Sequence, residues 1–230
     1  MSHALIFDRF VVDWSPKCGC TVVLKMWYDH VGLLDEALKY SEWIHNYRVK
    51  KSSHMFYKPN QFKVENPVFI KFTRNPYHRA VSSYIHACRT KLLANGSVMT
   101  FKQFVFDFLP VEFNRPSCND HWKPQHKIPW ALPRHDHVIH IEQLEQEIDS
   151  LNHSYNIKPP LKCNYTSFHH VKQEHYVPEA YNIKFENLIT NESEYTSPTY
   201  DSFYNEEIKQ QVYRLYQQDV DLYKYSYECE

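Results

Sequence analysis

The chain has 230 residues, 43% of them hydrophobic and 16% aromatic, which is enough for a single domain (1–230) with a core of its own. Its 26 Lys and Arg nearly balance 27 Asp and Glu, so no global basic field exists to recruit nucleic acid or an anionic membrane. An anionic ligand must therefore be held by a local site.

Taken in chain order, Leu5 to Trp14 is apolar and β-branched and predicts a strand. It stops at Ser15-Pro16, because proline offers no N–H to a central ladder. Apolar residues at Val22, Val23, Met26, Trp27 and Val31 then predict a helix from Thr21. Val68 to Phe72 predicts a second strand, and Pro76 suits the first turn of a helix running through Ala80, Val81, Tyr84 and Ile85. Thr100-Phe101-Lys102-Gln103 fits a capping box, with Phe104 and Phe108 facing inward. Pro110 to Pro133 is proline-rich and aperiodic, and reads as a long functional loop. Val138 to Ile141 predicts a third strand, followed by a helix around Leu144 to Leu151 and an irregular stretch from Asn152 to Ser202. Asn205 caps a last helix whose Ile208, Val212, Leu215 and Tyr216 share a face. Strands alternating with helices imply an α/β fold, with a mostly parallel central sheet flanked by helices.

Two segments carry chemistry. Ser15-Pro16-Lys17-Cys18-Gly19-Cys20-Thr21 lies between the first strand and its helix, where backbone N–H groups and the helix N-terminus favour an anion. Gly19 lets the backbone approach a phosphate, Lys17 supplies a mobile charge, and Thr21 offers a hydroxyl. The Walker order is absent, because the lysine precedes the glycine; alone, the segment reads equally as a tight turn that contains a lysine. The second segment, Arg74-Asn75-Pro76-Tyr77-His78-Arg79-Ala80-Val81-Ser82-Ser83-Tyr84, starts at the end of the second strand. Its arginine and its serine two helical turns later suit a second phosphate. Two such grips on one sheet edge fit a nucleotide phosphorylated at both its 3′ and 5′ positions.

On these residues the chain resembles the sulfotransferases that use 3′-phosphoadenosine 5′-phosphosulfate (PAPS), and in particular the Golgi carbohydrate branch with its P-loop-like fold. PKCGCT resembles the 5′-phosphosulfate loop and RNPYHRAVSSY the 3′-phosphate motif. The run from Val212 through Asp219 to Tyr225 resembles the closing helix of that branch. The resemblance implies that Lys17 stabilises charge on the leaving phosphate while Cys18, Gly19, Cys20 and Thr21 bind it, and that Arg74 and Ser82 hold the 3′-phosphate. It implies PAPS as donor, no metal, and a carbohydrate or small hydroxyl-bearing acceptor; separately, no stretch of the chain approaches the roughly 20 apolar residues needed to cross a bilayer. Where the cytosolic branch stacks a tryptophan on adenine, this chain has Val22.

Sulfuryl transfer needs a base beside the acceptor hydroxyl. His54, in Lys51-Ser52-Ser53-His54, sits nearly where the cytosolic branch carries a Lys-x-His element. Its rival is His121 in Asp120-His121-Trp122-Lys123-Pro124-Gln125. With 15 histidines in the chain, a plain surface imidazole is the alternative for each. His135 and His137 alternate along the third strand and form a candidate ligand pair. Cys18-x-Cys20 has no second pair at zinc-like spacing. The six cysteines follow no disulfide framework, and the N-terminus does not read as a signal peptide, so a cytoplasmic protein is expected. Two other readings stay open: a P-loop-type phosphotransferase, and a non-catalytic glycan-binding protein using Phe113, Trp122 and Trp130.

Overall fold

A computed structural model describes residues 4–57, 64–90, 92, 99–127, 135–165, 172–188 and 196–226. In chain order its elements are β1 (Ala4–Phe7), β2 (Phe10–Trp14), α1 (Cys20–His30), α2 (Leu34–Tyr40), α3 (Ile44–Lys50), β3 (Phe56–Tyr57) and β4 (Val68–Thr73). They continue with α4 (Pro76–Arg89), α5 (Phe101–Gln103), α6 (Leu109–Phe113), β5 (His137–His140), α7 (Leu144–Tyr155), β6 (Lys172–His175), α8 (Phe185–Leu188), β7 (Thr196–Pro198) and α9 (Glu206–Tyr223). The elements gather into two compact units, 1–74 with 128–167, and 75–127 with 168–230. Trp130 lies outside the described residues.

The first unit is built on a five-stranded sheet of order β3-β1-β2-β4-β5. β2, β4 and β5 run parallel at its centre and far side, whereas β1 and β3 add antiparallel at one edge. The fold is α/β, as the alternation predicts. The expected strand from Leu5 to Trp14 is instead a hairpin, turned at Asp8 with φ +48° and closed by the pair Phe7 and Phe10. Aspartate tolerates the left-handed region, so one polar residue suffices to fold an apolar run back on itself.

Strand alternation sorts the two faces of this sheet. Phe10, Val12 and Trp14 join Val68, Ile70 and Phe72 in a core completed by Leu24 and Trp27 of α1 and by Ile148 and Leu151 of α7. The opposite face carries Val11 and Phe69 and, one step further along each strand, Asp13 and Lys71. Those two residues are directly paired in register and form a fully buried ion pair at 2.8 Å. Burial alone would raise the Asp13 carboxyl, but Lys71 and then His135 outweigh it and hold it below the usual carboxylate range.

The second unit has its own core, from Tyr77, Val81 and Tyr84 of α4, Phe101 and Phe104, and Ile208, Val212 and Tyr216 of α9. The capping box at Thr100 forms as expected, with both of its hydrogen bonds present. The helix it opens runs on to Phe113, past the expected loop start at Pro110, through a π-wound stretch at Phe104–Phe108. Pro110 has no N–H to give an α-helical ladder, and the wider winding precedes it.

The segment after this helix is pinned from α9. Asp219, fully buried, accepts hydrogen bonds from Gln125 N at 2.6 Å, His126 N at 2.9 Å and His126 Nδ1 at 2.6 Å, while Tyr216 Oη donates to Trp122 O at 2.7 Å.

Candidate functional site

The parallel register brings three strand ends level, with Trp14 beside Phe72 and Phe72 beside Ile139. From the end of β2, the chain turns where Cys18 N donates to Ser15 O at 3.1 Å, and it enters α1 through Gly19. Lys17 has φ +71° and Gly19 φ +68°. For a lysine this conformation costs about 1–2 kcal/mol, and such strain persists where surrounding structure enforces it, commonly at binding loops. Left-handed residues in a loop also turn successive N–H groups toward one concavity. At Gly19 a side chain would suffer the same strain, and its Cβ would sit 3.4 Å from Cγ2 of Ile141, the residue that follows β5.

No side chain caps α1, and its first turn holds no acidic residue. By contrast, Asn75 caps α4 by accepting from Tyr77 N at 2.9 Å, and Asn205 caps α9 by accepting from Ile208 N at 2.9 Å. The start of α1 therefore keeps its partial positive charge for an anion.

Side chains from the end of β4 and from α3 reach this loop. Arg74, just past β4, donates from Nη1 to the carbonyl oxygen of Lys17 at 3.1 Å. From α3, His45 Nε2 lies 3.4 Å from Thr21 Oγ1 and 3.6 Å from Cys20 Sγ. One turn along the same helix, Arg48 faces Cys20 and Tyr28; burial draws its guanidinium down from the usual range, and those two neighbours oppose the shift. At the end of β5, Glu147 accepts from His140 N at 2.7 Å and from His140 Nδ1 at 2.8 Å. A carboxylate only accepts, so Nδ1 carries the hydrogen there.

Lys17, Gly19, Cys20, Thr21 and Arg74 are thus brought together in the first unit. Cys18 is fully buried, and its backbone N–H is already given to Ser15 O. Ser82 lies half-buried on α4 in the second unit. His54 is exposed on the short turn Ser53–Met55, two residues after Ser52, which is buried and hydrogen-bonded to Tyr28 Oη. His121, in the second unit, meets Asn119 Oδ1 through its backbone N at 3.0 Å and its Nδ1 at 2.8 Å, and stacks on His86 at 4.3 Å between ring centroids. The Asn119 oxygen makes Nδ1 the donor, leaving Nε2 as the basic nitrogen of His121.

His135 and His137 do not form a pair. The strand begins at His137, so His135 escapes its alternation; His137 Nε2 meets Tyr155 Oη at 2.6 Å, whereas His135 Nε2 lies 3.8 Å from Asp13. Among the described residues no group of three or more His, Cys, Asp or Glu is placed to hold a metal ion.

Sequence reasoning missed His45 and Arg48. Their only signal was a three-residue spacing within a short helix, which orients them alike without revealing what they face.

An α1 start without a side-chain cap, left-handed backbone at Lys17 and Gly19, and the Arg74 guanidinium meet at the carboxyl ends of parallel strands, an arrangement able to hold an anionic group. A model described as the sulfotransferase family matches residues 8–226, and so runs through both units. The chain belongs to the sulfotransferase family and is a transferase of the sulfuryl group. No curated protein and no solved structure matches it. Among the described residues no helix is long and apolar enough to cross a membrane.

Proposed function

We propose that the protein, acting as a single domain over 1–230, moves a sulfuryl group from PAPS to a hydroxyl of a carbohydrate acceptor. The observation that carries this reading is the convergence of Lys17, Arg74 and the uncapped start of α1 on one loop. The left-handed backbone at Gly19, which any side chain would strain, suits a phosphate that approaches the backbone closely. PAPS, when bound, supplies the activated sulfuryl group and a leaving group that is already a nucleotide phosphate.

The residues of the chain then have separable tasks. Backbone N–H groups at Gly19, Cys20 and Thr21 bind the 5′-phosphate, and Lys17 neutralises the charge that grows on its bridging oxygen. Arg74 and Ser82 hold the 3′-phosphate. His54 takes the proton of the acceptor hydroxyl, and His121 lies in the segment that receives the acceptor. Displacement at sulfur is in line, so positioning and electrostatics carry the catalysis without a metal. The carbohydrate class rests on the likeness of PKCGCT and RNPYHRAVSSY to the Golgi carbohydrate branch, and the place of action proposed is the cytoplasm.

Calorimetry tests the donor. Adenosine 3′,5′-bisphosphate should bind tightly and ATP should not, whereas equal binding of ATP would favour a phosphotransferase. Labelled PAPS offered with a panel of glycans and small hydroxyl compounds then identifies the acceptor; label reaching only small alcohols or phenols would displace the carbohydrate assignment.

A further inference from the structure

His45 reaches the loop from α3, a helix that neither phosphate motif includes. Its Nε2 touches the side chains of both residues that follow Gly19, at 3.6 Å for Cys20 Sγ and 3.4 Å for Thr21 Oγ1. The ring is only partly buried, while Ile44 and Tyr47 on either side of it are buried and fix α3 against the core. The imidazole is therefore delivered by packed neighbours to a defined place at the start of α1.

Hydrogen-bond bookkeeping gives that place a consequence. A threonine hydroxyl has one hydrogen to donate and two lone pairs with which to accept. If Nε2 is bare, it competes for that hydrogen, and the hydroxyl then turns lone pairs toward an incoming phosphate. If Nε2 carries a hydrogen, it donates to Thr21 Oγ1, and the hydroxyl hydrogen is left to the anion. A hydrogen bond to a charged group is stronger than one between neutral groups, so the anion favours the second arrangement.

We propose that His45 is a positioning residue of the donor loop, holding the Thr21 hydroxyl in the orientation that donates to the 5′-phosphate. The inference rests on the reading of this loop as the 5′-phosphate site. It assigns His45 no proton transfer with the acceptor. A neutral ring with its hydrogen on Nε2 performs the task as well as an imidazolium.

The test is calorimetric titration of the full chain with adenosine 3′,5′-bisphosphate, with thermal melting recorded for each variant. His45→Leu should weaken binding by roughly tenfold, the size of one hydrogen bond to a charged group. His45→Gln places an amide N–H near the position of Nε2 and should recover affinity to within about threefold of the parent. Thr21→Val should lose about as much as His45→Leu, the double variant should be no weaker than Thr21→Val alone, and Thr21→Ser should bind like the parent. Additive losses, or a glutamine variant as weak as the leucine one, would overturn the proposal even if His45→Leu melts early. Loss at Thr21→Val with none at His45→Leu removes this inference and leaves the donor-site reading standing. Parent-like binding by both Thr21→Val and Lys17→Ala removes the two together.

Discussion

The guanidinium of Arg74 and the carbonyl of Lys17 meet at 3.1 Å, tying the residue that follows β4 to the left-handed residue that turns the loop after β2. One side chain thereby both braces the loop and brings a fixed positive charge to it. Arg74→Ala should weaken adenosine 3′,5′-bisphosphate binding by roughly 2–4 kcal/mol, because a phosphate loses its charged partner. Arg74→Lys should restore only part of the loss, since an ammonium has no planar fork to serve carbonyl and phosphate together. Titration calorimetry reads both variants, and unchanged affinity in the alanine variant would remove Arg74 from the donor site.

Lys17 has a different expected signature. Its charge matters most as the leaving oxygen becomes anionic, so Lys17→Ala should lower kcat far more than it changes the KM for PAPS. Steady-state kinetics separates the two effects. A raised KM with kcat intact would make Lys17 a ground-state binding residue.

The buried pair Asp13 and Lys71 lies one residue before Trp14 and Phe72, on the opposite face of the sheet. Removing one charge strands the other, so Asp13→Asn should cost about 3–5 kcal/mol of stability in urea denaturation. Replacing both residues by apolar ones of similar volume should recover most of it. The folded Asp13 carboxyl is held below its ordinary value of 3.8, so the stability that the pair contributes is complete above that value. It is lost as pH falls through the lower folded value. A urea midpoint for the parent that stayed flat well below pH 4 would contradict an ionised Asp13.

The assignment of the base separates two histidines by kinetics. A neutral imidazole can accept a proton from a hydroxyl as its oxygen bonds to sulfur. His54→Ala should cut turnover by roughly 10²–10⁴-fold and leave bisphosphate affinity nearly unchanged. His121→Ala should chiefly raise the KM of the acceptor. The reverse pattern would transfer the base to His121, whose ring is already oriented through Asn119.

Turnover should also survive EDTA, because cations of the chain surround the leaving phosphate in the proposed mechanism. A loss restored only by a divalent metal would bring back the phosphotransferase reading.

The sequence by itself determined what short-range chemistry encodes. The helix starts at Thr100 and Asn205 follow from residues three apart, and the loop from Lys17 to Thr21 and the motif from Arg74 follow from contiguous residues read against a strand and a helix. The α/β class follows from the order of those elements. Tertiary structure alone decided what depends on distant partners. The turn at Asp8 hides in an apolar run because one residue with positive φ leaves no periodic trace. Asp13 meets Lys71 across 58 positions because β2 and β4 pair in one particular register. Asp219 clamps Gln125 and His126 from 94 and 93 positions away, and His45 reaches Thr21 from 24, because helix packing sets where each side chain ends. Periodicity records which face of an element is buried; it does not record which residue lies opposite.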